Sequence, residues 1–108
     1  MGKTLSVDVT APDGSATWSL CFDRDVIADV SDYVIFMAYD QYGTGSSKAG
    51  TTAGYNWVEA NIKKFLGQED VPPEKLVLGI PLYIGFSFFF CIIIYFSIAS
   101  FHNREECW

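Results

Sequence analysis

Tyr33-Val34-Ile35-Phe36-Met37-Ala38-Tyr39-Asp40 is the stretch on which the fold turns, because its first seven residues pass without a polar break. A run of this length, rich in β-branched and aromatic side chains, suits a strand buried on both faces of a parallel sheet. Working outward, the upstream text DRDVIADVS over 23–31 places Val26, Ile27 and Val30 at i, i+1 and i+4. Asp23 or Asp25 is available to cap its start, so the segment predicts a short helix. Before it, Leu5-Ser6-Val7-Asp8-Val9-Thr10 alternates apolar and polar residues and ends at the turn signal Pro12-Asp13-Gly14. That alternation predicts a first strand with one face more buried than the other.

Downstream, residues 41–54 hold four Gly, three Thr and two Ser, which is loop composition. Loops of more than about 12 residues in compact domains tend to be functional or disordered. A second helix opens at Asn56-Trp57-Val58-Glu59, with Asn56 as expected N-cap and Glu59 three residues on. Val58, Ile62, Phe65 and Leu66 make one apolar stripe, and Gly67 sits where a terminating glycine is expected. Pro72-Pro73 forbids continuation, and Lys75-Leu76-Val77-Leu78-Gly79-Ile80-Pro81-Leu82-Tyr83 reads as a third strand. The order strand, helix, strand, helix, strand defines an α/β unit of parallel strands joined by helical crossovers. Three strands cannot close a barrel, so the expectation is an open sheet or a segment of something larger.

The chain has 108 residues with thirteen acids against seven bases, a net charge of −6. Neutralising phosphates supplies most nucleic-acid affinity, and a chain of this sign without a basic cluster is not suited to it. Cys21, Cys91 and Cys107 are odd in number and irregular in spacing, which gives neither a disulfide framework nor a four-thiolate zinc site. The polar, acidic start MGKTLSVDVTAPDG lacks the apolar stretch of a cleaved secretory signal. No metal or organic cofactor is implied.

In parallel α/β folds the working residues gather at the carboxyl ends of the strands. Here those positions are Met37-Ala38-Tyr39-Asp40-Gln41-Tyr42 after the second strand and Tyr83 after the third. Met37 and Tyr39 are two residues apart and share a face, with Asp40 at the rim. Tyrosines, a carboxylate and an amide in one place suit sugar recognition, since aromatic faces stack on pyranose rings while Asp and Gln bond hydroxyls. The structural alternative stands beside it: Tyr39 as a core aromatic, Asp40 as a turn cap, and Trp57 as core rather than a sugar platform.

From Asp32 to Tyr83, the text DYVIFMAYDQYG, then GYNWVEANIKKFL, then VPPEKLVLGIPLY resembles glycoside hydrolase family 18, the chitinase-like TIM-barrel hydrolases. Met37-Ala38-Tyr39-Asp40 is similar to the family's M-x-Y-D motif on the sixth barrel strand. Lys75–Tyr83 is similar to the seventh strand, and Leu5–Thr10 would be the fifth. The resemblance implies a parallel βαβαβ fragment of a (β/α)8 barrel over residues 1–83. It also implies hydrolysis of β-1,4-linked N-acetylglucosamine polymers, of chitin or peptidoglycan type, by a substrate-assisted retaining mechanism. Tyr39 would orient the acetamido group, Asp40 would bond the sugar, and Met37, Gln41, Tyr42 and Tyr83 would line the subsite. The family's general acid lies in D-x-x-D-x-D-x-E, and these 108 residues contain no such motif: Asp29-Val30-Ser31-Asp32 begins it, but Val34 and Phe36 stand where Asp and Glu are needed. The expectation is a hydrolase fragment inactive alone, with a non-catalytic carbohydrate-binding or membrane-tethered module as the alternative. The family implies an extracellular or cell-wall location.

Residues 84–101 hold six of the nine Phe, five Ile and no charge, and the resemblance stops there. The twenty uncharged residues 82–101 match the length at which a helix of about 20 residues crosses a bilayer. The segment 84–108 is thus an apolar tail with three readings: a transmembrane helix making membrane contact, an aberrant join replacing the end of a barrel, or a buried strand pair.

Overall fold

A computed structural model describes residues 2–14, 16–42 and 46–82, and the backbone of 93–97. Strands β1 (Ser6–Val9), β2 (Tyr33–Met37) and β3 (Leu76–Pro81) are parallel, and helices α1 (Arg24–Val30) and α2 (Tyr55–Gly67) connect them in turn. A fourth strand, β4 (Ile93–Ser97), pairs antiparallel with β3, giving the sheet order β1-β2-β3-β4. The α/β class and the parallel βαβαβ order stand as the sequence predicts, and the arrangement is that of consecutive units of a (β/α)8 barrel.

The register pairs Val9 with Phe36 and Phe36 with Leu78. Strand alternation then sends Val9, Val34, Phe36 and Leu76 to one face, where they are fully buried with Ala28 of α1 and Phe65 of α2. Phe36 is the centre of this layer: its ring lies 4.9 Å from that of Phe65 and 6.1 Å from that of Trp57, both tilted. Trp57 is half-buried and packs against this core. The opposite face carries Asp8, Ile35, Met37 and Val77, which in a closed barrel would be the interior.

Three expectations are corrected. The buried side of α1 is Arg24, Ile27 and Ala28, whereas Val26 and Val30 are 53% and 69% exposed. A buried arginine takes the place that an apolar residue would occupy on the stripe. Helix α2 begins one residue before Asn56, with Gly54 as N-cap, and Gly67 is its last helical residue. The chain leaves α2 through Asp70 at φ 50°, which lets the Val71 N–H reach the Phe65 carbonyl at 3.0 Å.

The third correction concerns the apolar tail. Ile93–Ser97 is an extended strand hydrogen-bonded to β3, so 82–101 is not one continuous helix. Among the described residues no helix is long and apolar enough to cross a membrane. The segment's length matches a span, but its texture is Ile, Tyr and Phe, the residues that pack well on a pleated surface. The remainder of 84–108, with Cys91 and Cys107, lies outside the described residues. Cys21 is exposed.

Candidate active site

The carboxyl end of β2 carries the candidate residues. Pairing with β3 continues one step past β2, since the Ala38 N–H bonds the Gly79 carbonyl at 3.1 Å. Ala38 is buried toward the helices. Met37 and Tyr39, on either side of it, are half-buried, and Met37 projects from the opposite face of the strand. Gly79 pairs with Met37 in register, so no side chain of β3 stands beside the Met37 thioether at that level. Asp40 is exposed and held at φ 58°. This left-handed conformation is uncommon outside glycine and is best tolerated by Asp and Asn. It turns the chain sharply at the rim, directly after Tyr39.

Gln41 and Tyr42 organise the long loop that follows. The Gln41 N–H donates to the Thr52 carbonyl at 2.9 Å, and the Gln41 side-chain carbonyl Oε1 accepts the Gly54 N–H at 2.9 Å. One residue thus closes the loop 41–54 and satisfies the N-cap amide of α2, one of the donors that a helix start leaves unpaired. The Tyr42 ring lies against Gly50, where a Cβ would fall 2.3 Å from the ring. The structure therefore brings Met37, Tyr39, Asp40, Gln41 and Tyr42 to one rim, with Gln41 and Tyr42 engaged in shaping the loop. Tyr83 lies outside the described residues.

Sequence reasoning missed the group that fixes the adjoining loop after β1. Arg24 is 2% exposed and its guanidinium lies among backbone carbonyls. Nη2 donates to Thr10 at 2.9 Å and Ala11 at 3.3 Å, and Nη1 donates to Ser19 at 3.2 Å. Glu69 faces it at 3.7 Å, and the rings of Phe22 and Phe65 each lie 5.6 Å from Cζ. Burial lowers the guanidinium's pKa from the ordinary arginine value, and Glu69 pulls it partly back. Arginine nevertheless stays charged in proteins. The only hint in the sequence is an arginine between two aspartates, a pattern indistinguishable from a solvated helix start.

At the other end of the sheet, the Asp32 carboxylate accepts the Leu5 N–H at 2.7 Å, and Lys75 Nζ donates to the Ala28 carbonyl in the last turn of α1. Such a lysine satisfies an otherwise unpaired carbonyl and complements the helix dipole. Among the described residues, no group of three or more His, Cys, Asp or Glu could hold a metal ion.

No protein-family model matches the chain. Over 74 residues, 68% of this chain, it is 28% identical to an uncharacterized glycosylase, YvbX, of Bacillus subtilis (strain 168). Among solved structures it is similar to a Bacillus subtilis protein described as a sporulation-specific glycosylase, ydhD, with a TM-score of 0.65, 26% identity and 95% of this chain covered. It is also similar in fold to a chitinase from Chromobacterium violaceum ATCC 12472, with a TM-score of 0.67, 23% identity and 94% covered. The fold and these likenesses define the class: the chain resembles a chitinase-like glycoside hydrolase over part of its barrel. It spans 21% of the length of YvbX and 35% and 32% of the two solved chains.

Proposed function

We propose that these residues contribute the Tyr39–Asp40 portion of a site that hydrolyses β-1,4-linked N-acetylglucosamine polymers of chitin or peptidoglycan type. One observation carries the reading: a half-buried tyrosine is followed at once by an exposed aspartate in a left-handed turn, at the carboxyl end of a parallel strand. In the substrate-assisted scheme the substrate's acetamido oxygen attacks the anomeric carbon while a protein carboxylic acid protonates the leaving oxygen. Tyr39 would orient the acetamido group through its hydroxyl. Asp40 would accept hydrogen bonds from the sugar, and Met37 would floor the subsite beside Gly79. Gln41, Tyr42 and Tyr83 complete the proposed lining. The polymers named lie outside the cell or in its wall, and that is where we place the activity.

The 108 residues supply no D-x-x-D-x-D-x-E carboxylic acid. General acid catalysis is worth about 10²- to 10⁴-fold, so we expect this polypeptide alone to bind glycan without turning it over. The second reading is a carbohydrate-binding module that does not hydrolyse. Incubation with a chromogenic chitobioside tests the first point, and release at a rate comparable with a complete barrel would overturn it. Adding Asp40→Ala to a longer parent that carries the acid separates the two readings: the hydrolytic one requires loss of turnover.

A further inference from the structure

Tyr39 and Asp40 stand between two backbone anchors. On one side the Ala38 N–H bonds the Gly79 carbonyl of β3 at 3.1 Å, and on the other the Gln41 N–H bonds the carbonyl of the buried Thr52 at 2.9 Å. Gln41 adds a restraint through its side chain, whose Oε1 accepts the Gly54 N–H at 2.9 Å. The candidate pair is thus a short span fixed at both ends, by the sheet at one and by the start of α2 at the other.

The backbone of that span calls for such fixing. Asp40 is held at φ 58°, a conformation that costs a non-glycine residue free energy and persists where the surroundings determine it. The contact beyond it is close-fitting: a Cβ on Gly54 would fall 2.8 Å from Gln41 Oε1, so glycine at this N-cap is what admits the amide oxygen without displacing it.

We infer that Gln41 is a positioning residue: by tying the turn to the N-cap of α2 it holds Asp40 in the conformation that binds the sugar. It does so through Gly54, not by a bond of its own to the glycan. The inference rests on the function proposed above, since it assigns a second residue to the Asp40 contact. With the tie cut, Asp40 populates other backbone conformations, and the apparent affinity falls by the fraction of chains that stay competent.

The test measures the Kd of the 108-residue chain for an N-acetylglucosamine hexasaccharide by calorimetry. Gln41→Ala should raise it on the order of 5-fold, the worth of one net hydrogen bond. Gln41→Glu keeps an acceptor oxygen but gives up the amide donor, and should bring Kd back close to that of the unaltered chain. A loss equal to that of Gln41→Ala would mean that the amide N–H group bonds the sugar directly, and overturns the inference. Gly54→Ala attacks the same contact from its other partner while leaving the Gln41 side chain whole. It should also raise Kd, and the double variant with Gln41→Ala should bind no more weakly than Gln41→Ala; additive losses overturn the inference. Ala60→Gly, at an exposed position of α2, weakens the helix through propensity alone and should leave Kd unchanged. An equal rise there would reduce Gln41 to a structural role and overturn it too. If Gln41→Ala does not fold, Gly54→Ala and Gln41→Glu decide the matter by the same outcomes. A Kd unmoved by Gln41→Ala and Gly54→Ala overturns the inference and leaves the proposed function standing, whereas failure of the unaltered chain to bind removes both.

Discussion

The side-chain carbonyl of Gln41 accepts the N–H of Gly54 at 2.9 Å across thirteen residues of sequence, so the residue that follows the candidate aspartate also caps the helix beyond the loop. Gln41→Ala removes that acceptor and leaves a partly buried donor without its partner. A loss of about 1 kcal/mol is expected, read as a lower urea midpoint with an unchanged slope. Gln41→Glu keeps an oxygen at the same reach and should recover most of the loss.

Gly50→Ala tests the packing of the loop on Tyr42. Its Cβ would fall 2.3 to 2.6 Å from three ring carbons, so the half-buried ring must move. The expected cost is about 1 to 3 kcal/mol, the range for overpacking. In a double-mutant cycle with Tyr42→Ala the cost should largely vanish, and purely additive effects would show that the two residues do not share the clash.

Arg24→Ala should be among the most disruptive substitutions at the carboxyl end of β1. It strips hydrogen bonds from the Thr10, Ala11 and Ser19 carbonyls and leaves Glu69 without its cation. About 3 to 5 kcal/mol is expected, because several buried carbonyls lose a charged donor at about 1 to 3 kcal/mol each. Glu69 is 28% exposed and 3.7 Å away, so Glu69→Gln should cost about 1 kcal/mol or less. Chemical denaturation of the two variants decides the ranking, and a larger loss for Glu69→Gln would refute the dominance of the carbonyl bonds.

The left-handed backbone at Asp40 separates conformation from chemistry. Asp40→Ala places a side chain with no local hydrogen-bonding capacity at φ 58°, whereas glycine adopts that angle freely. Asp40→Gly should therefore be more stable than Asp40→Ala by about 1 kcal/mol. Both lack the carboxylate and should lose glycan affinity alike. In a parent carrying the acid, Asp40→Ala and Tyr39→Phe should depress turnover more than the thermal midpoint, and unchanged turnover in both would remove the site assignment.

Much of this was readable from side-chain periodicity. The unbroken run from Tyr33 to Tyr39 announces a strand, though only its Val34 and Phe36 face is fully buried, while Tyr33 is 43% exposed and Ile35 and Met37 are half-buried. The stripe from Val58 to Leu66 announces the helix that covers the buried face. What periodicity could not convey depends on partners far along the chain. Arg24 is buried because carbonyls at 10, 11 and 19 converge on it, and local sequence cannot show that convergence. The same holds for Gln41, whose amide lies thirteen residues from the helix it caps. The tail misled in another way: its uncharged length fits a bilayer, while the β-branched and aromatic content of Ile93–Ser97 fits a sheet. The candidate motif was visible in Met37-Ala38-Tyr39-Asp40.

The direction of β4 has a bearing on assembly. The outer edge of β3 offers one row of backbone donors and acceptors, and Ile93–Ser97 occupies it in the antiparallel sense. A (β/α)8 barrel requires a parallel strand along that same row. The two pairings are mutually exclusive: any barrel built onto this sheet beyond β3 must first displace β4.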